Sequence, residues 1–140
     1  MYLVDTSVWV DYLRGNASPP VRALKDLLGG DQVVGVAPII LQEVLQGADS
    51  AERFEKWRKD FTSLCCYAPG DPVATHVEAA RMYQTCRRAG KIPRSSNDCL
   101  IARIAVEYAL VLLHDDRDFE AIAAVTPELR LYPVKSPPRL

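Results

Sequence analysis

The segment MYLVDTSVWVDYL, residues 1–13, determines how the fold begins. Its apolar run Tyr2-Leu3-Val4 is short and ends at an acid, Asp5. Apolar residues then recur at helical spacing from Val8 to Leu13. A buried strand followed at once by a helix is the repeating unit of an open parallel sheet. The segment therefore predicts a strand, a helix and a carboxylate at the junction between them.

Strand-like and helix-like segments alternate along the rest of the chain, which predicts an α/β fold with a mostly parallel sheet and helices on both faces. The predicted strands are residues 2–5, 33–36, 64–67, 110–113 and 129–132. The predicted helices begin near Val8, Ser18, Pro38, Asp49, Asp71, Asn97 and Phe119. We expect one domain over residues 1–140, with an extended tail at 133–140.

Two of these helices carry predictions about single residues. Asp49 and Glu52 have the spacing of a capping box, which would start the fourth helix. In the helix that follows Asp71, the residues expected on the apolar face are Val73, Val77 and Ala80.

The composition is that of an ordinary globular protein, with 49% hydrophobic residues, 25% charged residues and a net charge of −1. The charge argues against a general nucleic-acid coat protein. Because no apolar run is long enough to span a membrane and the N-terminus lacks a signal-peptide layout, we expect a cytoplasmic protein without a membrane partner. The four cysteines form no CxxC pair, which predicts reduced, mostly buried thiols and no zinc site.

Four carboxylates lie where such a fold would gather them. Asp5 and Asp116 follow predicted strands, Asp98 opens a helix, and Glu43 lies within another helix. Asp5, Asp98 and Asp116 are each also explained as helix caps. Glu43 has no such explanation, and two interpretations stay open for it: a water-facing polar stripe or a functional site.

Together the four acids favour a site. The carboxyl ends of parallel strands meet at one edge of a sheet, and ligands bind there. Clustered carboxylates in an apolar setting are costly unless a positive charge lies among them. Carboxylate oxygens are the ligands that Mg²⁺ and Mn²⁺ prefer, and these ions bridge to substrate phosphates. The sequence therefore predicts a divalent metal site that acts on a phosphate-bearing substrate.

Four motifs resemble the PIN-domain ribonucleases, and more closely the VapC-type toxins of bacterial and archaeal toxin–antitoxin modules. The motifs are DTSVWVDYL at 5–13, the helix containing Glu43, NDCLIA at 97–102 and LLHDDRDF at 112–119. The resemblance covers essentially the whole chain, in the right order.

The resemblance implies a three-layer α/β/α fold and a Mg²⁺- or Mn²⁺-dependent endoribonuclease, in which a metal-activated water hydrolyses RNA phosphodiester bonds. It implies catalytic roles for Asp5, Glu43, Asp98 and Asp116, with Asp5, Asp98 and Asp116 as metal ligands. The supporting residues that it implies are Thr6, Ser7, Asn97, His114 and Asp118. It also implies a small antitoxin partner, with a homodimer or a toxin–antitoxin hetero-oligomer as the assembly.

His114 departs from the family pattern, which has Thr or Ser two residues before the fourth acid. Two interpretations stay open: a tolerated substitution, or a side chain that changes metal affinity or pH dependence.

Five basic residues are candidates for RNA binding. Arg87, Arg88, Lys91 and Arg94 cluster in the predicted loop ahead of Asp98, and Arg117 lies between the last two acids. They would neutralise phosphates without recognising sequence. The alternative for each is a solvated surface charge.

Two other functions are compatible with an α/β fold. One is a catalytically silent PIN-fold module that only binds a partner protein. The other is a phosphoacceptor signalling domain, which the sequence disfavours because no acid follows the strand at 33–36 and no strand ends in a lysine.

Overall fold

The computed structural model describes residues 1–133, which form an α/β fold around a five-stranded, all-parallel sheet in the order β3-β2-β1-β4-β5. The strands are β1 Tyr2–Val4, β2 Val34–Val36, β3 Cys65–Cys66, β4 Val111–Leu113 and β5 Arg130–Leu131. The helices are α1 Thr6–Leu13, α2 Pro19–Leu28, α3 Pro38–Leu45, α4 Ala51–Thr62, α5 Pro72–Arg88, α6 Ser96–Glu107 and α7 Arg117–Val125. The predicted fold class is confirmed.

The strand order explains the three layers. Helices α1 to α4 connect β1, β2 and β3, and α5 to α7 connect β3, β4 and β5. Right-handed crossovers in opposite directions across a sheet place their helices on opposite faces. The helices of each group accordingly pack on one another. The predicted tail at 133–140 lies outside the described residues from 134 onward.

The central strands form the core. Leu3, Val4 and Leu112 are fully buried, as are Leu24 of α2 and Phe119 of α7. Burying one such side chain stabilises the fold by roughly 1.5–3 kcal/mol. The strand ends that carry the acids are thus fixed to a rigid support.

The prediction for α5 is wrong about which face is buried. Val73 and Val77 are 75% and 49% exposed. The buried residues of α5 are Thr75, Ala79, Met82 and Cys86. This face packs on α6. The buried Thr75 hydroxyl donates to the Glu107 carboxylate at 2.9 Å, so it has a hydrogen-bond partner within the interface.

The predicted capping box of α4 is also wrong, by one residue. Ser50 is the N-cap, and its Oγ accepts from the Arg53 amide at 3.1 Å. Asp49 instead pairs with the Arg53 guanidinium at 3.4 Å. Serine is as good an N-cap as aspartate, and the helix takes the residue nearer its first turn.

The prediction of mostly buried thiols holds for only half of the cysteines. Cys86 and Cys99 are buried, whereas Cys65 and Cys66 are exposed. The exposed pair forms β3, which is an edge strand of the sheet. Between residues 1 and 133, no helix is both long and apolar enough to cross a bilayer.

Candidate metal centre

The acids gather at the crevice between β1 and β4. These strands are adjacent and parallel with Val4 opposite Leu113, so they end at the same level. The Asp5 amide extends the pairing by donating to the Leu113 carbonyl at 2.9 Å. The chain leaves β1 toward β2 on one side and returns to β4 on the other. Such a switch point is where open α/β sheets bind ligands.

Asp5 is both a helix cap and a member of this site. Its Oδ2 accepts from the Ser7 hydroxyl at 2.7 Å and from the Ser7 amide at 3.4 Å, which starts α1. The residue is only 5% exposed. Burial raises the pKa of Asp5, and the hydrogen bonds from Ser7 and Thr6 oppose that rise. Capping and site membership are therefore not alternatives here, because the cap holds the carboxylate at the strand end.

Glu43 faces the site rather than open water. Its Oε1 accepts from the Thr6 hydroxyl at 2.9 Å, which links α3 to α1. Glu43 is half-buried, while Gln42 and Gln46 on the same helix are exposed. The structure thus places Glu43 against α1 and not on the exposed polar stripe of Gln42 and Gln46.

Three carboxylates converge most closely. One oxygen each from Asp98, Asp116 and Asp118 lies within 4.8 Å of the other two. The pKa of Asp98 is raised to about 7, mainly by burial and further by repulsion from Asp5, Asp116, Asp118 and Glu43. The other four acids are therefore all within electrostatic reach of Asp98.

Asp118 lies closer to the centre than its predicted supporting role implies. Its amide donates to Asp116 Oδ1 at 2.9 Å, which makes Asp116 the N-cap of α7. Asp5, a predicted ligand, is not among the three converging carboxylates. The sequence signal for Asp118 is its spacing, since a first-turn acid two residues after a capping acid points toward the same helix end.

The residues present fit a hard divalent cation. The converging ligands are all carboxylate oxygens, and burial, together with repulsion from the neighbouring acids, raises the pKa of Asp98 to about 7. A small, highly charged ion with a preference for oxygen would relieve that repulsion. Mg²⁺ and Mn²⁺ meet both conditions.

Arg94, predicted as an RNA contact, lies against these acids. Its Nη2 is 2.7 Å from Asp116 Oδ1, and its Nε is 3.1 Å from Asp118 Oδ2. The Arg94 amide also donates to Asp118 Oδ2, at 2.9 Å. Burial by itself raises the pKa of Asp118, but the bonds from Arg94 outweigh it and lower that pKa below its usual value.

His114 has a definite structural role. Its Nδ1 accepts from the Asp116 amide at 3.2 Å, and its ring packs on Phe119 with centroids 5.5 Å apart. An accepting Nδ1 carries no proton, so this hydrogen bond assigns the ring proton to Nε2. The imidazole thus provides an acceptor at the start of α7, which a hydroxyl at this position could equally provide.

The other basic candidates are dispersed. Arg87 and Arg88 lie in the last turn of α5, not in the loop as predicted. Lys91 lies in the exposed loop after α5, and Arg117 is the exposed first residue of α7. Within residues 1–133, no ion pair joins any of these four to an acid.

Asn97, predicted as a supporting residue, is half-buried in the first turn of α6 beside Asp98. Its backbone amide donates to the Ser95 hydroxyl at 3.2 Å, which makes Ser95 the N-cap of this helix. The turn that presents Asp98 is therefore capped by Ser95.

Comparison with known proteins agrees with this architecture. A family model for the PIN domain matches residues 2–125. The VapC ribonuclease Mb1587 of Mycobacterium bovis and the ribonuclease VapC11 of Mycobacterium tuberculosis are each 33% identical over 127 residues, which cover 90% of this chain and 94% of theirs.

Solved structures share the fold at lower identity. VapBC2 from Rickettsia felis, bound to a DNA fragment from its promoter, has a chain that superposes with a TM-score of 0.68 at 19% identity, covering 93% of this chain and 96% of that one. FitAcB from Neisseria gonorrhoeae gives a TM-score of 0.67 at 20% identity, with 94% and 96% covered.

Proposed function

This chain belongs to the PIN-domain family, among its VapC-type members, and on that premise we propose that it is a metal-dependent endoribonuclease that acts as the toxin of a toxin–antitoxin module. The observation that carries the proposal is the set of five acids at the β1–β4 crevice, where burial and repulsion from the other acids raise the pKa of Asp98 to about 7. Such a site would attract a divalent cation and, through it, a phosphate group.

The proposed ligands of Mg²⁺ or Mn²⁺ are Asp5, Asp98 and Asp116, and Asp118 adds a carboxylate within reach. When bound, the ion supplies an activated water and stabilises the charge that develops at phosphorus. The protein's own contribution is to hold the carboxylates in place. Ser7 fixes Asp5 by a 2.7 Å hydrogen bond.

Glu43 is the proposed general base or outer ligand of the site. Its Oε1 is oriented by Thr6, and its repulsion contributes to the raised pKa of Asp98. A carboxylate held near the ion without being among the converging three is suited to accept a proton from a water molecule.

RNA is the proposed substrate because the relatives named above are ribonucleases. The acids alone would repel a polyanion, so RNA binding needs the cation and the basic residues around the crevice. Arg87, Arg88, Lys91 and Arg117 are exposed and are proposed to neutralise phosphates. The proposal also includes a small antitoxin as partner, a homodimer or toxin–antitoxin assembly, and a cytoplasmic location.

The test is cleavage of a labelled RNA by the purified full chain with Mn²⁺ or Mg²⁺, and with a chelator. We expect cleavage only with metal, and a loss of at least about 100-fold in Asp98→Asn and Asp5→Asn. Asp31→Asn, an exposed acid ahead of β2, is the matched control and should cleave like the wild type. Cleavage that survives in both site variants would overturn the proposal. A wild type without metal-dependent cleavage would favour the catalytically silent module.

A further inference from the structure

We propose that Arg94 and the divalent cation compete for the same carboxylates, and that the cation transfers the Arg94 guanidinium from Asp116 and Asp118 to a phosphate of the RNA. This inference rests on the proposed function and adds a substrate-positioning residue to it.

The first support is that Arg94 uses the oxygens that a metal would need. Its guanidinium bridges Asp116 Oδ1 and Asp118 Oδ2, at 2.7 and 3.1 Å. Both residues belong to the three converging carboxylates. A carboxylate oxygen that accepts a charged N–H at these distances has less capacity to bind a cation directly. Binding of the ion to these carboxylates and binding of the guanidinium to them therefore oppose each other.

The second support is that the Arg94 side chain is largely exposed while its backbone is held. The side chain is 73% exposed, so it can turn into water without disturbing the core. The backbone is fixed by the hydrogen bond that the Arg94 amide donates to Asp118 Oδ2, and by the neighbouring buried Pro93. Ser95, the next residue, caps α6. The released guanidinium would thus stay at the rim of the crevice.

The third support is electrostatic. One guanidinium carries a single positive charge, which only partly compensates the three converging carboxylates that it lies against. A divalent ion compensates more charge from a smaller volume, and a guanidinium beside it would then be repelled. A phosphate group is the natural next partner, because the planar guanidinium matches phosphate oxygens in a bidentate geometry. Arg94 therefore has a different preferred partner before and after the ion binds.

Two measurements on Arg94→Gln test the competition and the transfer together. Mn²⁺ binding to the full chain without RNA, measured by isothermal titration calorimetry, should be at least about threefold tighter in Arg94→Gln than in the wild type. Binding of a labelled RNA in Ca²⁺, which occupies oxygen sites, should be at least about threefold weaker. Arg94→Lys keeps the charge but loses the two-carboxylate bridge, so it should lie between the two in both assays.

Arg117→Gln is the matched control for Mn²⁺ affinity, because it removes one positive charge beside Asp116 from a residue that bridges no acids within residues 1–133. Mn²⁺ affinity in Arg94→Gln that is no higher than in Arg117→Gln would overturn the competition. RNA affinity equal to the wild type would overturn the transfer, and with it the proposal. A wild type that neither binds Mn²⁺ nor cleaves RNA would instead overturn the proposed function.

Discussion

The hydroxyl of Thr6 donates a 2.9 Å hydrogen bond to Oε1 of Glu43, 37 residues away along the chain. Thr6 directly follows Asp5, so this bond fixes the one acid on α3 relative to the acid at the end of β1. Two acids of the crevice, Glu43 and Asp5, are thus held by hydroxyl groups from a single turn, since Ser7 holds Asp5 in the same way.

Removal of the Thr6 hydroxyl should loosen Glu43. Thr6→Val keeps the shape of the side chain and removes the donor, and a hydrogen bond to a charged group contributes about 1.5–3 kcal/mol. We expect the rate of RNA cleavage to fall about tenfold or more in steady-state assays. Thr85→Val is the control, because within residues 1–133 the Thr85 hydroxyl bonds only to a carbonyl of its own helix. An unchanged cleavage rate in Thr6→Val would show that Glu43 needs no orientation.

Stability without metal should fall as the pH rises, because of Asp98. Its pKa is about 7 in the folded protein, against 3.8 for an aspartate free in water, so the folded state binds the proton more tightly. The stability from this group is present below pH 4 and is lost as the pH rises through 7. Because Asp98 is only half-buried, we expect a loss on the order of 1–2 kcal/mol. Urea unfolding in a chelator at pH 5 and pH 8 measures it.

The matched comparison for this pH effect is Asp98→Asn, which cannot ionise. Its free energy of unfolding should change less between pH 5 and pH 8 than that of the wild type. The same slope in both proteins would mean that the pKa of Asp98 is not raised in the folded protein.

Two substitutions of His114 separate its role as a hydrogen-bond acceptor from its contact with Phe119. His114→Ser and His114→Ala both remove the contact with Phe119, but only serine keeps an acceptor for the Asp116 amide. His114→Ser should therefore be more stable than His114→Ala by about 1 kcal/mol in urea unfolding. Equal stabilities would mean that the 3.2 Å bond to Nδ1 contributes nothing to the start of α7.

The four thiols should fall into two classes. Cys65 and Cys66 lie exposed on β3, whereas Cys86 and Cys99 are buried against the core. A thiol reagent should modify two cysteines rapidly in the native protein and all four after denaturation. Cys65→Ser combined with Cys66→Ser should abolish the rapid phase. Rapid modification of all four native thiols would contradict the packing of α5 and α6.

The strands and most helix starts were predictable from the sequence because they depend on local patterns. The end of β1 at Asp5 follows from three apolar residues and an acid, and the Ser18 cap follows from its own hydroxyl. The buried face of α5 was not predictable in this way. That helix has apolar residues on two faces, and tertiary contact with α6 selects the face with Ala79 and Met82.

The candidate site likewise has a part that local sequence patterns predict and a part that depends on tertiary contacts. The strand-end acids Asp5 and Asp116 were predictable, since parallel strands end together. The orientation of Glu43 depends on Thr6, which lies 37 residues earlier in the chain. Arg94 pairs with Asp118, which lies 24 residues later. Neither contact leaves a periodic signal in the sequence, because each joins one residue to a distant segment.

Direct binding of Mn²⁺ to the full chain tests the central claim, that the acids of the β1–β4 crevice hold a divalent cation. In isothermal titration calorimetry, the wild type and Asp31→Asn should bind Mn²⁺ with equal affinity. Asp98→Asn should bind it at least about tenfold more weakly. No saturable binding by the wild type, or wild-type affinity in Asp98→Asn, would contradict the claim.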